Sequence, residues 1–307
     1  MASESLPFIS RDRLNDLLPM IDAIDALDGA FSAGIPALPV RTVHAIPEGQ
    51  LLMMPAWSDR GIGVKLITYN PENAARSQAT VQGVYVLFEP DTASPLAVFD
   101  GSAITELRTA AVSGVATRHL SKPDATRLLV YGSGVQARSH IAAMRAVRPI
   151  ELVQIVSGTP ANAVSLADEL RQRGVEALAV DPAGLVDAHI VCLCTTSPTP
   201  VINATQLPST IHINAIGSFQ PHTREVDSRT ISASTVYVED RAAAMEEAGD
   251  LIIPEREGAW DRNLIGADLH ELASGQKDAS GGRTLFKGVG LAYEDLIVAT
   301  AAYQASR

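Results

Sequence analysis

Leu128-Leu129-Val130-Tyr131-Gly132-Ser133-Gly134-Val135-Gln136-Ala137 decides how this chain is read. A short apolar strand runs into two glycines and then into an Ala-rich helix near Val135 to Val147, and a second strand, Glu151 to Val156, follows. The turn fits G-x-G-x-x-A, and its strand–turn–helix–strand setting is what makes the match informative. The first glycine permits a tight turn, the second lets backbone approach a pyrophosphate, and Ala137 keeps helix and strand close. The helix N-terminus then offers N–H groups and a partial positive charge to phosphates. Gly132, Gly134, Val135 and Gln136 are therefore expected to contact a dinucleotide.

The end of the second strand bears on which dinucleotide. An NAD site usually carries an acid there, about 20 residues after the turn, for the ribose hydroxyls. Here the residues are Ser157-Gly158-Thr159-Pro160. A carboxylate would repel a 2′-phosphate, so its absence favours NADP slightly over NAD. Ser157 and Thr159 are the candidate contacts, and Thr159 also reads as a helix N-cap with Pro160 at the first helical position.

Outward from the turn, strand and helix alternate. Ala161 to Arg173 reads as a helix ended by Gly174, and Val175 to Val180, His189 to Cys194 and Ile211 to Ile216 read as strands. This is the pattern of a parallel sheet covered by helices. Before about residue 120 the elements are mixed. Pro19 to Phe31 is an amphipathic helix with Ile21, Ile24, Leu27 and Phe31 on one face. Leu51 to Met54, Gly63 to Tyr69, Val81 to Phe88 and Leu96 to Phe99 are short strands, and Thr105 to Leu120 is a helix. Ala292 to Tyr303 reads as a helix returning to the N-terminal part. The expected fold class is α/β: a Rossmann domain over 119–290, and a second α+β domain over 1–118 with 291–307.

With 307 residues, 46% apolar and 19% charged, the composition is globular, and a formal charge of −11 disfavours non-specific binding of nucleic acid. No apolar run approaches the ~20 residues that span a bilayer. The first ten residues carry no basic cluster, so a cytoplasmic protein without membrane partners is expected. Cys192 and Cys194 fall in one apolar strand. Their spacing suits a disulfide poorly and is too sparse for structural zinc, so inert buried thiols and no metal are expected.

Ordered motifs over most of the chain resemble the ornithine cyclodeaminase/mu-crystallin family. They are Met54-Pro55-Ala56, Gly63-Val64-Lys65-Leu66, Asp100-Gly101 through Leu107-Arg108-Thr109-Ala110-Ala111, the glycine turn, Thr195-Thr196-Ser197 and His212 through Ser218. Arg224-Glu225-Val226-Asp227, Glu247-Ala248-Gly249-Asp250, Phe286-Lys287-Gly288-Val289-Gly290 and Glu294-Asp295 complete the series. The resemblance implies a Rossmann domain and a substrate domain, built from both chain ends, that forms a homodimer.

It also implies roles. Arg41, Lys65 and Arg108 match the family's substrate-binding cations, which suits a carboxylate: Arg grips with a fork and Lys with a point charge. Arg108 read in the first turn of its helix would oppose the macrodipole unless both face an anion. Val289 matches the substrate site, and Asp227, with Lys65, the catalytic groups; a carboxylate beside a substrate nitrogen can exchange its proton. Thr80, Thr195, Ala215, Gly217 and Gly288 match the path of the nucleotide, Gly288 standing where a Ser is common. Leu52 stands where ornithine cyclodeaminases carry a Glu for the distal amine, and burying that ammonium unpaired costs several kcal/mol. The expected function is therefore an NAD(P)-dependent oxidoreductase, a ketimine reductase acting on a cyclic imino acid such as Δ1-pyrroline-2-carboxylate. Ornithine cyclodeaminase, alanine dehydrogenase and a non-catalytic NADP(H)-binding protein are the alternatives.

Overall fold

The computed structural model describes residues 5–76, 78–181, 186–279 and 281–307. The chain divides into two compact units. Met1–Ala30, Gly34–Arg108 and Leu291–Arg307 make the first, and Phe31–Ala33 with Thr109–Gly290 the second. The division falls at Arg108, inside a helix, rather than at residue 118. Among the described residues no helix is long and apolar enough to cross a membrane.

The first unit opens with β1 (Phe8–Ile9) and α1 (Arg11–Leu17), whose N-terminus is capped by the Ser10 hydroxyl accepting from Arg13 N. In α2 (Met20–Ala33) the buried stripe is Ala23, Ile24, Leu27, Ala30 and Phe31, a helical spacing that leaves Ile21 outside it. Then come β2 (Thr42–Ile46), β3 (Gly49–Ser58), β4 (Gly61–Tyr69), β5 (Val81–Phe88) and β6 (Pro95–Asp100), followed by α3 (Gly101–Leu120). The described strands form a sheet in the order β1-β6-β5-β4-β3-β2, antiparallel except where β1 meets β6. β3 runs well past Met54, where the sequence reading ended it at a proline. β2 pairs β3 only as far as Met53, so at Pro55 β3 has β4 alone beside it, and the missing N–H costs no ladder bond.

Alternation gives this sheet two unlike faces. Met54, Lys65, Tyr85 and Phe99 lie opposite one another across β3, β4, β5 and β6, and all are buried. The C-terminal helix (Ala292–Ala305) lies against β3, β4 and β5. Gly63 is required here, because a Cβ would fall 1.9 Å from the Tyr85 hydroxyl. The other face carries Met53, Leu66 and Val84, then Pro55, Val64 and Val86, then Trp57, Ile62 and Phe88, all half-buried apart from Trp57, which is exposed.

The second unit is a parallel sheet. Its elements are β7 (Arg127–Tyr131), α4 (Val135–Val147), β8 (Leu152–Val156), α5 (Pro160–Gln172), β9 (Ala177–Ala179), β10 (Ile190–Leu193) and β11 (His212–Ala215). They continue through α6 (Ser228–Ser232), β12 (Thr235–Val238), α7 (Arg241–Glu247), α8 (Gly249–Arg256), β13 (Ile265–Asp268), α9 (Leu269–Ala273) and β14 (Thr284–Lys287). The described strands are ordered β13-β12-β14-β11-β10-β7-β8-β9, every pair parallel. β10, β11 and β14 are buried throughout, as strands in a doubly covered sheet are; β10 is a continuous apolar run, while β11 and β14 also bury His212, Asn214, Thr284 and Lys287. The strand order reverses between β7 and β10, which is where such sheets take ligands. Cys192 and Cys194 are free thiols, and burial pushes Cys192 up to about 12 and raises Cys194 as well.

Candidate functional site

In the second unit the glycine turn sits at the reversal point. Gly132 has φ +117°, and a Cβ there would fall 2.4 Å from the Cys194 carbonyl oxygen, so β7 and β10 end side by side with room for no side chain. Gly134 is the N-cap of α4 and supplies no capping side chain, and a Cβ on it would meet nothing within 4 Å. The helix thus presents its first N–H groups beside open space. Val135 there is exposed, while Ala137 is fully buried against the sheet. Gln136 Oε1 is buried and, among the described residues, lacks a hydrogen-bond partner. A phosphate-bearing nucleotide fits this arrangement on three counts: backbone donors, a helix dipole and no side chain in the way. Arg138, which the sequence reading passed over, braces the turn. Its Nη1 donates to Ser133 O (2.6 Å) and Gly134 O (3.3 Å), and Nε and Nη2 bind Glu169 at 3.0 and 2.9 Å.

Ser157 Oγ lies 3.0 Å from Ser133 Oγ, tying the end of β8 to the turn, and accepts from Thr159 N at 3.3 Å. Thr159 occupies the N-cap position of α5, yet its side chain makes no capping bond; the expected cap is positional only. Thr195, Ala215, Gly217 and Gly288 lie at or just beyond the C-terminal ends of β10, β11 and β14. Gly217 is forced, since a Cβ would fall 2.1 Å from the backbone Thr195 O; at Gly288 a Cβ would fall 2.7 Å from the Glu239 carboxylate, which would have to shift. Val289 is buried, and its N–H, like that of Gly290, donates to Glu239 Oε2. Asp227 is the N-cap of α6, Oδ1 accepting from Thr230 N (2.9 Å) and from the Thr230 hydroxyl.

In the first unit Lys65 and Arg108 are buried with two carboxylates from the C-terminal helix. Lys65 Nζ lies 2.9 and 2.8 Å from Asp295 Oδ1 and Oδ2. Arg108 Nη1 is 2.9 Å from Glu294 Oε2 and its Nε 3.2 Å from Asp295 Oδ1. Burial pulls the Lys65 pKa down to about 8; Asp295 opposes this, while the charges of Arg108 and Arg41 add to it. The three cations thus share one electrostatic neighbourhood. Arg108 is not in the first turn of its helix. α3 starts at Gly101, with Asp100 Oδ1 accepting from Ser102 N and Ala103 N, so the dipole argument made for Arg108 does not apply. Leu52 pairs with Ile67 and lies on the face that carries Lys65. Thr80 precedes β5, its carbonyl accepting from Asn70 N. The Tyr85 hydroxyl, which the sequence reading missed, is buried beside this cluster, and burial and Asp295 both raise its pKa.

These two units together define an α/β protein with a Rossmann unit and a second unit made from both ends of the chain. The model of the ornithine cyclodeaminase/mu-crystallin family matches residues 9–307, and the chain belongs to that family. It is 37% identical over 285 residues to a Delta(1)-pyrroline-2-carboxylate reductase of Bacillus cereus, covering 89% of this chain and 87% of that one. It is 32% identical over 308 residues to the ketimine reductase mu-crystallin of Rattus norvegicus, covering 96% of each. Among solved structures, Thermococcus litoralis Delta(1)-pyrroline-2-carboxylate reductase in complex with NADH and L-proline matches with TM-score 0.92 and 34% identity, over 98% of this chain and 97% of that one.

Proposed function

We propose that this protein is an NAD(P)-dependent reductase of a small cyclic imino acid, with Δ1-pyrroline-2-carboxylate the substrate and proline the product. The observation that carries this reading is the buried Lys65–Asp295–Arg108–Glu294 cluster with Leu52 on the same face of the sheet. Cations anchor a carboxylate, and an apolar wall suits a ring of methylenes and disfavours a second ammonium. The names of the relatives and the proline bound in the Thermococcus protein support the substrate class.

A reduced dinucleotide, held through its phosphates at the Gly132–Gln136 turn, would supply the hydride; the rest falls to the chain's own side chains. Arg41, Lys65 and Arg108 hold the carboxylate and so orient C2. A carboxylate beside Lys65 favours its charged form again. Asp227 delivers the proton that balances the hydride at the ring nitrogen. With no acid over residues 157–159, NADPH is expected to bind at least as well as NADH. The half-buried apolar face of the first unit's sheet, with Trp57 exposed on it, is covered by a second copy of the chain in this reading.

The test is turnover of Δ1-pyrroline-2-carboxylate with each cofactor, followed by nicotinamide absorbance, beside an ammonia assay with ornithine. The expected result is imine-dependent oxidation of NAD(P)H and little ammonia. Leu52→Glu should weaken imine binding and improve ornithine binding, since one buried charge partner is worth roughly 2–5 kcal/mol. Efficient ammonia release from ornithine by the unmodified protein would overturn the reading in favour of cyclodeamination.

A further inference from the structure

The second unit buries a charged network that the reading above does not use. Glu225 is fully buried, and its carboxylate meets two loops at once. Oε1 accepts from Thr195 N (2.8 Å) and Thr195 Oγ1 (2.6 Å), just past β10, and Oε2 accepts from Gly217 N (2.7 Å), just past β11. Glu225 is itself held, because its N–H and that of Val226 donate to Asp250 Oδ1 at 2.7 and 3.0 Å. Asp250 Oδ2 pairs with Lys287 Nζ at 2.9 Å, and Lys287 also donates to Ser218 O. Asp250 and Lys287 are fully buried as well.

Two carboxylates and one ammonium in a dry interior are a costly way to stabilise a fold, since well-packed apolar residues do so at least as well. What this network achieves is placement. Its bonds go to backbone groups at the C-terminal ends of β10 and β11 and to the loop after β11, which is the edge of the sheet where dinucleotides bind. That edge has two halves. β7, β8 and the glycine turn serve one mononucleotide, and β10, β11 and β14 serve the other. Glu225 touches only the second. The Thr195 hydroxyl, already donated to Glu225 and accepting from Ser197 N at 3.2 Å, is committed to this clamp.

We propose that Glu225 is a positioning residue for the nicotinamide half of the cofactor, setting the Thr195 and Gly217 loops while leaving the adenine half untouched. This rests on the dinucleotide reading above. Burial raises the Glu225 carboxyl above its ordinary range and Asp250 adds to this, while Lys287 and the Thr195 donors offset part of the rise.

The test compares binding of NADH and NADPH with binding of AMP and 2′,5′-ADP, which probe the adenine half alone. Glu225→Gln offers one acceptor oxygen where two are used and turns an NH2 towards a backbone N–H. Glu225→Asp keeps the charge but shortens the reach, and serves if the Gln variant does not fold. Either variant is expected to weaken the whole dinucleotides about tenfold or more and the adenine fragments less than about twofold. Equal weakening of both ligand classes would show a purely structural role and overturn the proposal, as would dinucleotide binding unchanged in both variants. If the unmodified protein binds neither dinucleotide, the dinucleotide reading itself fails, which is a separate outcome.

Discussion

In the first unit, buried Lys65 and Arg108 face two carboxylates on the C-terminal helix. In the second, buried Glu225, Glu239 and Asp250 face mainly backbone N–H groups, with Lys287 the ammonium among them. Side-chain pairs can be re-partnered when another carboxylate arrives, so the first arrangement suits an anion that comes and goes. Carboxylates bound to main chain fix loops, so the second suits a ligand that needs a preset surface. The contrast extends to pH. Lys65, its pKa lowered to about 8 by burial, sheds its charge in mild alkali, so there the first unit loses attraction for an anion rather than stability. The second unit is exposed to acid through His140 and His212, buried neutral imidazoles that burial holds near 4 and 3.

The largest effect expected is acid destabilisation of the second unit. His140 is bonded to Gln136 O and Ser113 Oγ, and His212 to Thr284 Oγ1 and Asn214 Oδ1. Their folded pKa values lie below the ordinary 6.5, so between those values and 6.5 the unfolded chain binds more protons. Stability is then full above about pH 6.5 and falls as pH drops, by roughly 1.4 kcal/mol per pH unit per histidine. Glu225, raised by burial, opposes the fall in the lower part of that window. Urea unfolding across the range should show the decline, about halved in His140→Gln. A flat profile from about pH 7 to 4.5 would erase the contrast.

Asp227 is the second-unit carboxylate expected to act on substrate rather than on main chain alone. Asn is as good an N-cap as Asp, so Asp227→Asn keeps α6 and removes only the charge. kcat should fall about 10²-fold or more, with cofactor binding and thermal stability nearly unchanged. Turnover close to that of the parent would place Asp227 with the purely structural carboxylates.

A smaller effect concerns the first unit. KM for the imino acid should rise above about pH 8, by up to about tenfold per pH unit, as Lys65 loses its proton. Lys65→Arg, charged at every accessible pH, should flatten that limb. A limb that persists in the Arg variant belongs to another group. The mildest expectation is that Ser157→Asp shifts preference towards NADH by about fivefold, read from the two dissociation constants. A parent that strongly prefers NADH would overturn the reading of that strand end.

How much of this was legible in sequence differed between the units for physical reasons. β7, the glycine turn and α4 follow local rules, and α4 begins and ends where the pattern placed it. β12, β13 and β14 are strands of four residues, too short for periodicity to declare, and the insertion of β14 between β11 and β12 is a long-range pairing. The sequence pattern begins α3 only at Thr105, whereas the helix starts at Gly101. Asp100 caps the helix, and Gly101 is there because a Cβ would fall 2.8 Å from the backbone of Gly83 and Val84. The cations Lys65 and Arg108 came from the resemblance, but their carboxylate partners, and the clamp of Glu225, Asp250 and Lys287, could not be read. Buried charges follow no repeat, and their partners sit far away in the chain.

That distance also sets an order of events during synthesis. Lys65 and the aspartate that neutralises it are separated by 230 residues. At about 5–20 residues per second, roughly 10–50 s pass between the ribosome's making of one and of the other. Throughout that interval the sheet face bearing Lys65 and Tyr85 lacks its covering helix, whereas β7, α4 and β8 are complete within some thirty residues of one another. A nascent chain therefore carries an unfinished, sticky half ahead of a locally assembled one. Chaperone binding should map to residues 49–100 and be relieved only when the C-terminal helix emerges.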